Sequence, residues 1–296
     1  MSWQRITLDL WLRAVEKPRL ARARSVTAAR AQMERTAAHF APRGPVAVAA
    51  VLGRLPALRM IGTAEATILW LHGGAFVAGS PRTHLRLVAE LARRAGVGAV
   101  LPDYRLAPEH PFPAAVEDAR AAWEGLLAEG MPPGRIALGG DSAGGGLAFA
   151  LLGEIVAGGG PLPAGVLAFS PWADLTLAGP SLRRLGRRDA FLPVERLAEV
   201  RDAYLAGADP RDPRASPHLA RFVGGPPALI QASRAEILLD DARAMAARLE
   251  ADGVDVTLEL DRGLPHVWQA FHGWLPEADA ALGRAAAFLR RCLKIA

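Results

Sequence analysis

Gly139-Gly140-Asp141-Ser142-Ala143-Gly144-Gly145-Gly146 is the stretch on which the reading of this chain turns. Arg135-Ile136-Ala137-Leu138 before it is a short apolar run that reads as a strand, and Leu147-Ala148-Phe149-Ala150-Leu151-Leu152 after it reads as a buried helix. A serine set two residues from Gly140 and Gly144, between a strand and a helix, fits a nucleophile elbow. The small residues let strand and helix approach, and the strained turn holds Oγ up at the end of the strand. The helix N-terminus behind it favours negative charge. Taken alone, the pentapeptide also fits an ordinary turn with Ser142 as helix cap. Its neighbours decide between the two.

Outward from this stretch, strand and helix alternate. Upstream, residues 66–71 form a strand that runs into His72-Gly73-Gly74-Ala75-Phe76-Val77-Ala78-Gly79-Ser80. A helix over 84–94, a strand over 97–102, a proline-punctuated loop over 103–113 and a helix over 114–129 follow. Downstream come a strand at 165–170, a strand at 228–232, a helix at 240–251, an alternating strand at 254–260 and a closing helix at 279–293. The looser region 173–217, with Pro180, Pro193, Pro210, Pro213, Pro217 and one helix near 195–205, reads as an insertion. Residues 46–52 and 54–62 read as a strand pair at one edge. Residues 1–40 look helical, with Leu8, Leu12, Val15, Met33, Ala37 and Phe40 at helical spacings and Pro18 starting or interrupting a helix. This alternation predicts an α/β fold with a mostly parallel sheet covered on both faces.

The bulk numbers suit that size of domain. The chain has 296 residues, 51% hydrophobic and 22% charged, enough for a substantial core. Cys292 is the single cysteine, so no internal disulfide or cysteine-based metal site is expected. The net charge is +5, and Arg13 to Arg35 holds seven basic residues against Glu16 and Glu34. No nucleic-acid motif accompanies that run, which reads as the solvated face of an amphipathic helix. Neither a run of 18 apolar residues nor a signal-peptide pattern is present, so a cytoplasmic protein without stable membrane insertion is expected.

A serine hydroxyl needs a base, a group to orient the base, and donors for a developing oxyanion. Each candidate follows a predicted strand, where open α/β sheets bind ligands. His266, in Gly263-Leu264-Pro265-His266-Val267-Trp268, is the candidate base, because it lies late in the chain after the last strong strand. Glu236 is the candidate acid; Asp240 stands next and Asp261 is weaker. The backbone N–H of Ala143 and two of Gly73, Gly74 and Ala75 are the candidate oxyanion donors, with Gly74 the firmest.

On these residues the chain resembles the bacterial hormone-sensitive-lipase-like esterases of the α/β-hydrolase superfamily. His72-Gly73-Gly74-Ala75-Phe76, the segment from Asp103-Tyr104-Arg105-Leu106-Ala107-Pro108-Glu109-His110-Pro111-Phe112-Pro113 to Ala114, and Gly140-Asp141-Ser142-Ala143-Gly144 carry the likeness. Glu236-Ile237-Leu238-Leu239-Asp240 and His266-Val267-Trp268 complete it. The resemblance implies an eight-stranded sheet and a helical cap built from residues 1–45 and the insertion at 173–217. The catalytic domain would then span 46–296. It implies hydrolysis of short- to medium-chain carboxylic esters through an acyl-enzyme, without metal or cofactor. It also implies that His72 orients the glycine loop and that Tyr104, Arg105 and Glu109 are structural. Two positions depart from the pattern: Ala75 stands where relatives often have Gly, and Glu236 where Asp is more usual.

The same triad would serve an amidase or a lactonase, and a ligand-binding protein of this fold is the non-catalytic alternative. The expected partner is a small-molecule ester, with no nucleic acid. Phe76, Phe191, Leu192 and Val267 are candidate substrate-pocket walls, together with Trp172 and Tyr204. A monomer and a homodimer are both compatible with the sequence.

Overall fold

The computed structural model describes residues 2–23, 25–39, 46–62 and 65–295. Phe40 and the end of the N-terminal segment, 40–45, lie outside them. Eight strands form one sheet: β1 (Val48–Leu52), β2 (Leu55–Met60), β3 (Thr67–Leu71), β4 (Gly98–Pro102), β5 (Ile136–Asp141), β6 (Gly165–Phe169), β7 (Ala228–Ser233) and β8 (Val256–Asp261). Their order is β1-β2-β4-β3-β5-β6-β7-β8. Pairing is antiparallel for β1–β2 and β2–β4 and parallel from β4 to β8, so the predicted edge hairpin and parallel body are both present.

Among the described residues, ten α-helices surround the sheet: α1 (Trp3–Trp11), α2 (Lys17–Ala21), α3 (Val26–His39), α4 (Pro81–Ala95), α5 (Ala114–Ala128), α6 (Ala143–Ala157), α7 (Pro180–Leu185), α8 (Leu197–Leu205), α9 (Leu239–Ala251) and α10 (Pro276–Cys292). β3 shows why both faces are covered. Ile68 and Trp70 point to one face, where Leu87, Val88 and Leu91 of α4 and Leu282 and Leu289 of α10 pack. Leu69 and Leu71 point to the other, against Trp123 of α5, Leu147 and Leu151 of α6 and Met245 of α9. Alternation by two on a strand buried on both sides produces an unbroken apolar run, which is how the sequence reads. Truncating Leu91, fully buried, to alanine would cost roughly 2–5 kcal/mol.

α1 and α2 are joined by one π-helical stretch, Leu12–Glu16, closed by the Lys17 N–H donating to the Leu12 carbonyl. Pro18 has no N–H to give to the turn before it, and the wider turn takes up the fault. Pro18 therefore interrupts the helix without ending it. This N-terminal arm lies on the region 186–191. Lys17 Nζ donates to the carbonyls of Gly186 and Asp189 at 2.7 and 2.8 Å, and Arg13 donates to those of Arg187 and Arg188. Leu8 and Leu12 are buried in one cluster with Ala190, Leu264 and Trp268, on the loop that carries His266. The region 173–217 holds α7 as well as the expected α8; Pro180 starts α7, where a proline costs nothing. Among the described residues, no helix is long and apolar enough to cross a membrane.

Candidate active site

The parallel register brings the C-terminal ends of β5 to β8 to one rim. Asp141 sits beside Phe169, Phe169 beside Gln231, and Ser233 beside Asp261. Ser142 follows β5 directly, at φ 53° and ψ −124°. That left-handed region is costly for a residue with a Cβ and is kept where surrounding bonds enforce it. Here the Ser142 N–H donates to the Phe169 carbonyl at 2.8 Å, and its carbonyl accepts from Gly146 and Trp172 at 3.1 and 2.9 Å. The flanking glycines are a packing requirement. A Cβ on Gly140 would lie 2.3 Å from the Gly144 carbonyl oxygen, and one on Gly144 would lie 2.0 Å from that of Leu71.

His266 is buried on the same rim. Its Nδ1 lies 2.6 Å from Glu236 Oε2, and both side chains are almost wholly enclosed. Glu236 Oε1 accepts from the Ser170 hydroxyl at 3.0 Å and from the Ser233 N–H at 2.7 Å. The carboxylate is thus held on three sides. Ser170, the residue after β6, also accepts the N–H of Val267 at 3.3 Å. One short path of bonds therefore runs from Ser142 through Phe169 and Ser170 to both Glu236 and the His266 loop. Burial opposes a charge on His266. The hydrogen bond and negative charge of Glu236, with Asp189 and Asp141 further off, outweigh it and hold the imidazole above its ordinary value of 6.5. With Nδ1–H given to Glu236, Nε2 is left as the basic nitrogen. The Ser142 hydroxyl makes no hydrogen bond among the described residues. Bonds of this kind commonly tighten only when substrate is in place.

The other acid candidates are engaged elsewhere. Asp240 Oδ2 accepts the Ser181 N–H at 2.7 Å and pairs with Arg243, while Asp261 pairs with Arg284. Position explains this. Asp240 lies on the first turn of α9, one turn beyond the strand end that Glu236 adjoins.

The glycine loop separates the oxyanion candidates. The N–H groups of Gly74, Ala75 and Ala143 make no hydrogen bond among the described residues. Gly73 is a correction: its N–H is buried and donates to Asp141 Oδ1 at 3.2 Å. A donor already held by a carboxylate has nothing to offer an oxyanion, which leaves Ala75 as the candidate beside Gly74. Ala75 and Phe76 adopt φ 55° and 62°, which turns the backbone outward after Gly74 at φ 126°. His72 donates from Nδ1 to the Gly73 carbonyl at 2.9 Å, its ring stacks on Tyr104 at 4.1 Å, and the Tyr104 hydroxyl donates to the His72 carbonyl at 2.6 Å. Burial and the neighbouring His84 lower the His72 pKa to about 3, so it stays neutral. Arg105 clasps Asp118 through its guanidinium, and Glu109 pairs with Arg30 of α3.

The candidate pocket walls divide. Phe191 stacks beside the His266 ring with centroids 6.3 Å apart, and Val267 follows His266 directly. Leu192 is half-buried against the main core. Phe76 is a core side chain, buried and stacked on Tyr204 at 3.9 Å, with Trp172 at 6.2 Å. Three residues of the site had no sequence signal. Ser170 and Ser233 are ordinary strand-end serines. Asp189 lies far upstream in the insertion, yet its carboxylate accepts the N–H groups of Phe191, Leu192 and Ile237.

Comparison with known proteins agrees with this geometry. Residues 68–270 match the family model of the alpha/beta hydrolase fold. An acetyl-hydrolase of Streptomyces hygroscopicus is 46% identical over 224 residues, 76% of this chain and 75% of that protein. An esterase of Acinetobacter venetianus is 38% identical over 245 residues, 82% of this chain and 80% of that protein. The crystal structure of an esterase from the bacterial hormone-sensitive lipase family superposes with a TM-score of 0.92 at 40% identity, covering 99% of both chains. A serine held at a strained strand–helix turn, a buried histidine–carboxylate pair on the same rim and these likenesses all agree: the chain belongs to the α/β-hydrolase fold family, among its bacterial hormone-sensitive-lipase-type carboxylic ester hydrolases.

Proposed function

We propose that the protein is a serine carboxylesterase that hydrolyses short- to medium-chain carboxylic esters through an acyl-enzyme. Ser142 Oγ attacks the ester carbonyl carbon while His266 Nε2 takes its proton. The carbonyl π pair moves onto oxygen, and the N–H groups of Gly74, Ala75 and Ala143 bind the oxyanion. Collapse breaks the C–O bond to the leaving alkoxide, which takes the proton from His266 and departs as an alcohol. Water then attacks the acyl carbon as His266 takes its proton. That proton returns to Ser142 Oγ, and the carboxylic acid leaves. Glu236 holds the imidazole in the tautomer this needs and stabilises its charged form.

The observation that carries the reading is the 2.6 Å bond between buried Glu236 and His266, on the rim where Ser142 is held in a left-handed turn. The N-terminal helices and the region 173–217 act as the cap, because α1 packs on the loop that carries His266 and the region 173–217 brings Phe191 beside the His266 ring. Small acyl groups are favoured by that close cover and by the similarity to a protein named an acetyl-hydrolase. The test is Ser142→Ala on p-nitrophenyl butyrate, with a fall of about 10³-fold or more expected. Pure variant retaining the wild-type rate would end the reading. Rates from p-nitrophenyl acetate to palmitate should peak at the short end.

A further inference from the structure

α1 packs one face into the protein and turns a second apolar face outward. Leu8 and Leu12 are buried, against Leu264 and Trp268. On the opposite side Trp3 is 66% exposed, Ile6 50%, Leu10 62% and Trp11 43%. At 100° per residue these four side chains, with Thr7 between them, form one stripe along the helix. Trp274, 43% exposed, extends it: its ring meets that of Trp3 edge-on, with centroids 6.3 Å apart. A helix that needed only to cover the site would carry polar side chains here.

One flank of the stripe carries Asp9 and Arg13, which pair with each other at 2.7 Å, and beside it lies a basic segment. Arg13 also reaches the carbonyls of Arg187 and Arg188, which fixes that segment alongside α1. The sequence from 183 to 188 reads Arg-Arg-Leu-Gly-Arg-Arg, with no acid. Arg183, Arg187 and Arg188 form no ion pair among the described residues. Two copies of this surface face to face would bring these arginine clusters together, and their repulsion disfavours a second copy as the occupant. A tryptophan-bearing apolar stripe beside unpaired arginines matches an anionic lipid–water interface: rings and aliphatic chains enter the headgroup boundary, and guanidinium groups meet phosphates.

We propose that the outer face of α1, with Trp274 and the 183–188 arginines, docks the protein on anionic lipid surfaces. The face is peripheral, since α1 has nine residues and cannot span a bilayer. Its inner face rests on the loop that carries His266, so the docking surface and the site belong to one packed unit. The proposal does not depend on the catalytic reading, because the stripe contains no residue of the site.

The test is co-sedimentation of the full chain with vesicles of phosphatidylcholine and phosphatidylglycerol (7:3) against phosphatidylcholine alone, with Ser142→Ala alongside. Binding is expected to the anionic vesicles only, with a blue shift of tryptophan emission, and Ser142→Ala should bind equally. Binding should weaken by about tenfold in Trp3→Gln/Leu10→Gln, whose hydrolysis of soluble p-nitrophenyl butyrate shows that it is folded. Arg187→Gln/Arg188→Gln should bind more weakly and lose its response to added salt. Absence of wild-type binding overturns the proposal, as does equal binding by Trp3→Gln/Leu10→Gln. A wild-type dimer in light scattering that Trp3→Gln/Leu10→Gln dissociates would also overturn it, by giving the face to a second copy.

Discussion

Asp141 Oδ1 accepts the backbone N–H of Gly73 at 3.2 Å while its Oδ2 holds His84 Nε2 at 3.1 Å. The same Oδ1 accepts from the indole of Trp70, also at 3.2 Å. The residue before the proposed nucleophile is therefore tied to the residue before the proposed oxyanion donors. A shift in either loop is transmitted to the other through one buried carboxylate.

Asp141→Ala leaves two buried donors and a buried imidazole without their acceptor, at about 1–3 kcal/mol for each orphaned group. The melting temperature should fall, and kcat should drop roughly 10- to 100-fold with a smaller change in KM, since the oxyanion loop loses its anchor. Asp141→Asn keeps an acceptor for Gly73 and should lie between. Wild-type kcat in Asp141→Ala would show that the loop is held by other means.

Glu236→Gln retains an oxygen for the donors of Ser170 and Ser233 and removes the charge facing His266. A loss of about 10³- to 10⁴-fold in kcat is expected, because the imidazole loses both its preferred tautomer and its counter-charge. Asp240→Asn, at a carboxylate bound to Ser181 and Arg243, should hydrolyse p-nitrophenyl butyrate at close to the wild-type rate. The reverse ranking would move the acid role to Asp240.

The raised His266 pKa has opposite consequences for rate and stability. Nε2 acts as base only when neutral, so activity should climb with pH through a value above the ordinary 6.5. His84 is also raised: burial works against its charge, but Asp141 more than compensates. A group whose folded value is raised contributes stability fully below 6.5 and loses it as pH rises through the folded value. Thermal stability should thus decline within that window, from pH 6.5 up to the folded value, and the decline should be shallower in His84→Gln. Melting scans from pH 6 to pH 9 measure it; identical slopes would exclude His84 as a contributor.

Gly144→Ala would place a methyl 2.0 Å from the Leu71 carbonyl oxygen, which cannot move without displacing β3. A cost of about 1–3 kcal/mol or more is expected, with loss of activity. Gly134, where an added Cβ meets nothing within 4 Å, is the control, and Gly134→Ala should melt and turn over like wild type. Equal behaviour of the two variants would mean that the elbow has slack the packing does not show.

The strands and helices around the serine, the mostly parallel sheet and the positions of the triad candidates were legible in the sequence because each follows from a local pattern, whereas the strand order was not. Unbroken apolar runs mark strands buried on both faces, Gly140 and Gly144 mark a close approach, and Ser142, Glu236 and His266 each follow a strand end. Which donors stay open was not legible. Gly73 and Gly74 are the same residue type in the same loop. Asp141, 68 positions away, and His84 take up one N–H and leave the other open. The roles of Ser170 and Asp189 and the outward face of α1 were hidden for a related reason. A hydrogen-bond partner or an uncovered surface is a property of what folds against a residue. Local spacing encodes the elements, and distant contacts choose which of their groups remain available for chemistry.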